Sequence, residues 1–313
     1  MRSRTICAFL LFALFFAGCQ KRSGTTIAVI PKATSHVFWL AVQSGAMAAG
    51  EDLGVEVLWN GPPTETDYSR QIQIMDSMIV RRVDGIAVAA AERKALSGSI
   101  DRAAAAGIPV VVFDSGVEST NFLSYIATNN LEAGRLGART LAELAGGKGK
   151  VALVMHAPGS ASTMEREQGF NEVMSKEYPD IQVVASQFGM SDRAKARAAA
   201  ENMLTAHPDL DGMFASSEPS SVGAALAIKA RGLTKQVALV AFDSSDSMIE
   251  DLKEGAIDAM VVQDPQKMGY QAVQTLVDKI NGKEVPKQID LSASVIRKED
   301  LDKPEVQKLL GVK

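Results

Sequence analysis

From residue 25 to its C-terminal region the chain alternates, without a break, between short apolar runs and stretches of helical periodicity. The runs at 26–30, 55–59, 85–89, 109–113 and 123–127 are followed by a second series at 150–155, 181–186, 212–215, 237–241, 258–262 and 289–295. They are rich in Val, Ile and Ala and do not alternate apolar with polar residues, which is the pattern of strands covered on both faces in a parallel sheet. Between them apolar residues recur three and four apart, as Ile72, Met75, Met78 and Ile79 do, and Met268, Ala272, Leu276 and Ile280. That is the period of a helix with one buried face. Regular strand–helix alternation specifies an α/β, doubly wound architecture.

So many strands in one chain fit two sheets of five or six better than a single wide one. The best boundary lies near Thr128 and Asn129, where one series ends and the next begins. "GGKGK" at 146–150 falls just after it and reads as a helix stop and tight turn. It is no phosphate loop, because it precedes a strand instead of following one and no Ser or Thr follows Lys148.

The first residues do not belong to this pattern. Basic Met1-Arg2-Ser3-Arg4 leads into a mostly apolar run over 6–17, then "FAGC" at 16–19 and the polar stretch Gln20 to Gly24. This is an export signal, too short for a stable transmembrane helix. Ala17 and Gly18 before Cys19 resemble the lipobox of bacterial lipoproteins, with residues 1–18 removed, Cys19 acylated and 19–24 a tether. Removing 1–18 also deletes Cys7, so the mature chain has one cysteine and no internal disulfide. The expected location is outside the cytoplasm, on a lipid anchor, at the periplasmic face in a Gram-negative cell.

In doubly wound sheets ligands bind beyond the carboxyl ends of the strands. Lys32, His36, Phe38 and Trp39 follow the first run, and Asp114 in "VVVFDS" follows the fourth. In the second series His156 and the "PGSAST" loop follow 150–155, with Arg166 on the next helix. Phe188 and Ser191 follow 181–186; Ser216, Ser217 and Glu218 follow 212–215; Asp243 follows 237–241; Gln263 and Asp264 follow 258–262. Carboxylates, an arginine, a lysine and an amide make short hydrogen bonds to vicinal hydroxyls, and flat rings cover the C–H faces that a sugar also presents. The set suits a polyol. Each residue has a plainer role open to it. Phe38 and Trp39 could be core at a helix start, Lys32 a solvated loop cation and His36 a turn residue. Asp114 and Asp243 could be N-caps, Arg166 could pair with Glu165 or Glu167, and Gln263 could cap the helix that Pro265 opens.

Other classes fit less well. A net charge of −4 with no basic cluster argues against a nucleic-acid partner. The three histidines, His36, His156 and His207, form no HxxxH pair, so no metal or other cofactor is expected. A glycosidase-like use of Asp114 and Asp243 is the enzymatic alternative and is set aside.

The motifs "TIAVIPK", "VVVFDS", "IATNN", "GSASTMEREQGF", "TAHPDLDGMFAS", "LVAFDSS" and "VVQDPQKMGY", in this order and spacing, resemble the periplasmic sugar-binding proteins of the ribose, arabinose and galactose group. These share a two-lobe fold with the sensor halves of LacI-type repressors. The resemblance implies one sugar held between lobes and delivered to the transmembrane subunits of an ABC permease. A monomer is expected, with membrane contact through the lipid anchor only. The alternative is a periplasmic sugar or autoinducer-2 sensor subunit docking on a chemoreceptor or histidine kinase. The lobes are expected at 25–128 plus 264–290 and at 129–263 plus 291–298, joined by a three-segment hinge near 128, 263 and 290, with 299–313 as a C-terminal tail.

Carried over residue by residue, Phe38 and Trp39 match the paired stacking aromatics, Asp114 the first-lobe carboxylate, Arg166 the second-lobe arginine, Asp243 its carboxylate, and Gln263 the amide beside the hinge. Lys32 is a serine in ribose binders and a lysine in arabinose binders; His36 stands where ribose binders place an asparagine. Three positions depart from the ribose pattern: Ser115 replaces an arginine, Ser191 a stacking Phe and Ser217 an asparagine. They imply a wider, less cationic pocket. "WNGPPTETDYSRQIQ" also resembles the corresponding loop of autoinducer-2 and rhamnose-type binders. A pentose, a hexose and a sugar alcohol all stay open.

Overall fold

The computed structural model describes residues 24–311 of the 313-residue chain; the leader and Cys19 lie outside the described residues. The first series runs β1 (Thr26–Ile30), α1 (Val37–Leu53), β2 (Glu56–Trp59), α2 (Tyr68–Val80), β3 (Gly85–Val88), α3 (Ser97–Ala105), β4 (Val110–Phe113) and β5 (Ser124–Thr128). The second runs α4 (Asn130–Leu144), β6 (Gly149–Met155), α5 (Ala161–Lys176), β7 (Ile181–Phe188), α6 (Arg193–Ala206), β8 (Gly212–Ala215), α7 (Glu218–Ala230), β9 (Ala238–Phe242), α8 (Asp246–Glu254) and β10 (Ala259–Val262). Then come α9 (Pro265–Ile280), β11 (Gln288–Leu291), β12 (Ser294–Ile296), a single 3-10 turn at Lys298–Asp300 and α10 (Pro304–Leu310).

The strands form two six-stranded sheets, in the orders β11-β5-β4-β3-β1-β2 and β12-β10-β9-β8-β6-β7. The first is wholly parallel. The second has one antiparallel edge strand, β12 on β10. Both faces of each sheet are covered, as the unalternating runs require. In β1, Ile27 and Val29 pack under α1 and α9, while Ala28 and Ile30 pack under α2 and α3. Full burial of each large side chain there contributes roughly 1.5–3 kcal/mol before the entropy of ordering it.

The run at 289–295 is two strands, not one. Gln288–Leu291 continue the first sheet beside Tyr125–Thr128, and Leu291 is buried in the first lobe's core. Ser294–Ile296 join the second sheet through Met260–Val262. Leu291, expected in the second lobe, thus belongs to the first sheet, and the change of sheet falls between it and Ser294. Beyond it, α10 lays Val306, Leu309 and Leu310 on the second lobe's core.

The chain passes between the sheets three times: at Thr128–Asn130, at Gln263–Asp264 and at Leu291–Ser294. Two of these passages start a helix with a side-chain cap. Asn129 accepts from the Glu132 amide at 3.1 Å, and Asp264 from the Lys267 amide at 2.9 Å, with Pro265 in the first turn. Asp264 therefore does the capping that Gln263 could have done, and Gln263 is left for other work.

Within each lobe a helix pair meets at backbone distance. A Cβ on Gly45 of α1 would stand 1.9 Å from the Gln266 carbonyl oxygen of α9, and one on Gly134 of α4 would stand 2.1 Å from that of Arg166 in α5. Only glycine fits at either position. The second contact sets where Arg166 sits.

Candidate functional site

The carboxyl ends of both sheets face each other across a small cavity of about 30 Å³, room for a couple of water molecules. Of the residues singled out from the sequence, Lys32, His36, Phe38, Trp39, Asp114, Arg166, Ser217, Asp243 and Gln263 line it. Ser191 does not. It turns in a left-handed conformation (φ 54°) and donates its backbone N–H to the His156 carbonyl at 3.2 Å, so it braces the loop behind the cavity. Glu65, His156, Ser162, Thr163, Glu218 and Pro219 also line it. His156 and Glu218 stood at strand ends; Glu65 follows β2, and extending the strand-end rule to that strand finds it.

Lys32 is buried, not solvated. Its Nζ lies 2.8 Å from Asp114 Oδ2 and donates across the lobes to Ser160 Oγ at 3.2 Å and Ser162 Oγ at 3.0 Å. The Ser162 amide in turn donates to Ser115 Oγ at 3.2 Å. Asp114 caps no helix. Its positive φ of 57° directs it away from the strand, and the short loop after it leads to β5.

Arg166 comes from the second turn of α5 and is 3% exposed. Its Nε donates to Asn130 Oδ1 at 2.8 Å, Nη1 donates to the Ser216 carbonyl at 3.0 Å, and the guanidinium lies 3.9 Å over the Phe242 ring. A guanidinium has five N–H donors, so three remain beyond these two bonds. It is held by these contacts instead of pairing with Glu165 or Glu167.

Asp243 does not cap the helix that follows it, whose N-cap is Ser245. Its Oδ2 accepts from the Glu218 amide at 3.0 Å and its Oδ1 from Gln263 Nε2 at 2.7 Å. Burial raises its pKa, against the opposing charge of Arg166. Gln263 also accepts from Thr128 Oγ1 at 2.6 Å, which ties two of the interlobe passages together at the site.

Glu65 gathers a second polar group. Trp39 Nε1 donates to its Oε1 at 2.8 Å, and His36 Nδ1 lies 3.1 Å from the same oxygen. From the other lobe His156 Nε2 lies 2.8 Å from Oε2, while its Nδ1 lies 2.9 Å from Ser217 Oγ. An ionised carboxylate only accepts, so both imidazoles donate to it. Burial alone would raise the pKa of Glu65; the charge and hydrogen bond of His156, the bond from His36 and the charge of Lys32 outweigh it and hold the carboxyl well below its ordinary range. Burial opposes protonation of His36, yet the Glu65 bond and charge prevail and raise it.

Trp39 is largely core: 2% exposed, edge-on to Phe113 at 6.3 Å and to Phe38 at 4.9 Å. Only part of its ring is left to the cavity. Phe38 is half-buried.

The arrangement gathers charged and neutral donors and acceptors from both lobes around one small cavity. A family model for the periplasmic binding protein domain matches residues 27–284. The chain belongs to that family. Among its relatives, the ribose import binding protein of Bacillus subtilis is 28% identical over 264 residues, 84% of each chain. Among solved structures, an Agrobacterium radiobacter carbohydrate transporter solute-binding protein in complex with D-arabinose superposes with a TM-score of 0.90 at 32% identity, covering 92% of this chain and 99% of that one. An Agrobacterium vitis ABC transporter solute-binding protein bound with α-D-tagatopyranose gives 0.88 at 31%, covering 91% and 99%.

The binding protein has a second, much larger interlobe space, a groove of about 880 Å³ between α1, α8, α9 and α10. Size does not make it the site. It shares only Phe38, Asp243 and Gln263 with the small cavity, and Lys267, Lys303, Glu305 and Lys308 along it are solvent-exposed. Buried, converging polar groups, which mark a binding site, are found at the small cavity.

Proposed function

We infer that this periplasmic binding protein captures a monosaccharide or related polyol between its lobes and hands it to an ABC import permease. One observation carries the reading: Lys32 and Asp114 from one lobe and Arg166, Asp243 and Gln263 from the other are buried side by side, with donors and acceptors suited to vicinal hydroxyls. The relatives that bind ribose, D-arabinose and tagatose support the same class. Lys32 bonds Ser160 and Ser162, and Glu65 bonds His156, from one lobe to the other across the cavity, so uptake proceeds by rotation of the lobes about the three passages, and a ligand touching both sets favours the closed form. The expected experiment is calorimetry against D-ribose, D-arabinose, D-tagatose, D-galactose and D-glucitol, with saturable one-to-one binding to at least one. No heat from any of them would overturn the reading.

The protein acts as a monomer anchored by lipid on Cys19. The "FAGC" sequence supports this, and a diacyl chain gives the two anchors that stable attachment needs. Cys19→Ser should move the protein from the membrane to the soluble fraction or leave an uncleaved precursor. If wild type and variant both fractionate as soluble, the anchor is wrong.

A further inference from the structure

Glu218 is the first residue of α7, behind the N-cap Ser217. Its backbone is fixed, since its amide donates to Asp243 Oδ2 at 3.0 Å and Pro219 follows. Its side chain is 1% exposed and lines the small cavity. One oxygen, Oε1, receives Arg193 Nη2. The other, Oε2, is buried and has no hydrogen-bond partner among the described residues. Arg193 is about half exposed and reaches Glu218 from solvent, so it orients the carboxyl without occupying the face toward the cavity. His36 faces this carboxyl from the opposite lobe, close enough for each to feel the other's charge.

Buried carboxylate oxygens are rarely left unsatisfied, and one that is calls for an explanation. A helix gains from an acid in its first turn, but an exposed acid would serve equally; that role requires neither burial nor a place at the cavity wall. Burial also raises the pKa of Glu218 despite Arg193, so the group stands ready to improve its position when a donor arrives.

We propose that Glu218 is a ligand-binding, specificity-determining residue: its free oxygen accepts a hydrogen bond from a hydroxyl of the bound sugar on the side of α7, and sugars lacking that hydroxyl are disfavoured. Arg193 is the positioning residue that holds Oε1. This rests on the sugar-binding reading above and deepens it.

The test is calorimetry of wild type, Glu218→Gln and Glu218→Asp against the five sugars named, then against monodeoxy derivatives of the tightest one. A charge-assisted hydrogen bond predicts a loss of about ten- to hundred-fold in Glu218→Gln. The thermal midpoint of the ligand-free variant should not fall, because a buried charge with an unsatisfied oxygen has been removed. One monodeoxy sugar should bind wild type and Glu218→Gln equally, while the others keep the full difference. The proposal is overturned if Glu218→Gln stays within twofold of wild type for every sugar that wild type binds, or if every monodeoxy derivative keeps the full difference. Should Glu218→Gln fail to fold, Glu218→Asp, which keeps the charge but withdraws it, is read by the same criteria. Wild type binding none of the sugars would sink the sugar reading itself, a result distinct from a variant that matches a binding wild type.

Discussion

Asp114 in the first lobe and Asp243 in the second stand at matching places. Each ends the third strand of its sheet order, precedes a serine and takes a positive φ, 57° and 70°. Each donates its amide to the neighbouring strand at 2.9 Å, to Ile126 and to Val261. Their partners differ. Asp114 faces a cation, Lys32, which also reaches the other lobe. Asp243 faces no cation directly and is satisfied by a backbone amide and the Gln263 side chain. The same local device thus bridges the lobes in one half and braces the hinge side of the site in the other.

The largest effects should come from attacking what the lobes share. Gly45→Ala and Gly134→Ala each drive a Cβ into a carbonyl oxygen, and each should cost about 3 kcal/mol, read by denaturant unfolding. Equal losses would show that both helix pairs rest on the same contact; an indifferent Gly134→Ala would mean that α4 and α5 can separate, and Arg166 should then lose its place.

Next come the two aspartates. Asp243→Ala removes a proposed sugar contact, strands the Glu218 amide and frees Gln263, so affinity should fall about a hundredfold and stability should fall with it. Asp114→Ala leaves Lys32 still bonded to two serines, and about a tenfold loss is expected. Calorimetry that ranks them the other way round would make the Lys32–Asp114 pair the main anchor.

A smaller effect separates the histidines' carboxylate from the rest. His36 gains Glu65 on folding and its pKa is raised from 6.5. Its stabilisation is full below 6.5 and is lost as pH rises through the raised value. Thermal midpoints of wild type should therefore decline over that window, and His36→Gln should flatten the decline, worth about 1 kcal/mol. An unchanged slope would remove His36 from the Glu65 cluster.

The smallest signal is optical. Trp39 is buried where the lobes meet, whereas Trp59 ends β2 and is half-buried. Sugar binding should shift emission to the blue, the shift vanishing in Trp39→Phe and surviving in Trp59→Phe. A shift that follows Trp59 would place the moving surface elsewhere.

The architecture was legible because it rests on local patterns. Val, Ile and Ala runs without alternation, separated by residues at helical spacing, can only be buried strands under helices, and strand ends in such sheets face the ligand side. That is enough to bring Lys32, Asp114, Arg166, Asp243 and Gln263 to one place. The run at 289–295 shows the limit, since its composition does not say that Leu291 fills one core while Ile296 fills the other. The strand-end rule set Ser191 beside His156 and Glu218 alike, and did not tell that Ser191 braces a loop while those two line the cavity, His156 bonded across it to Glu65. Those outcomes depend on side chains far apart in the chain, 91 residues in the case of Glu65 and His156. Their distances, burial and charge are fixed only when the two sheets close on each other.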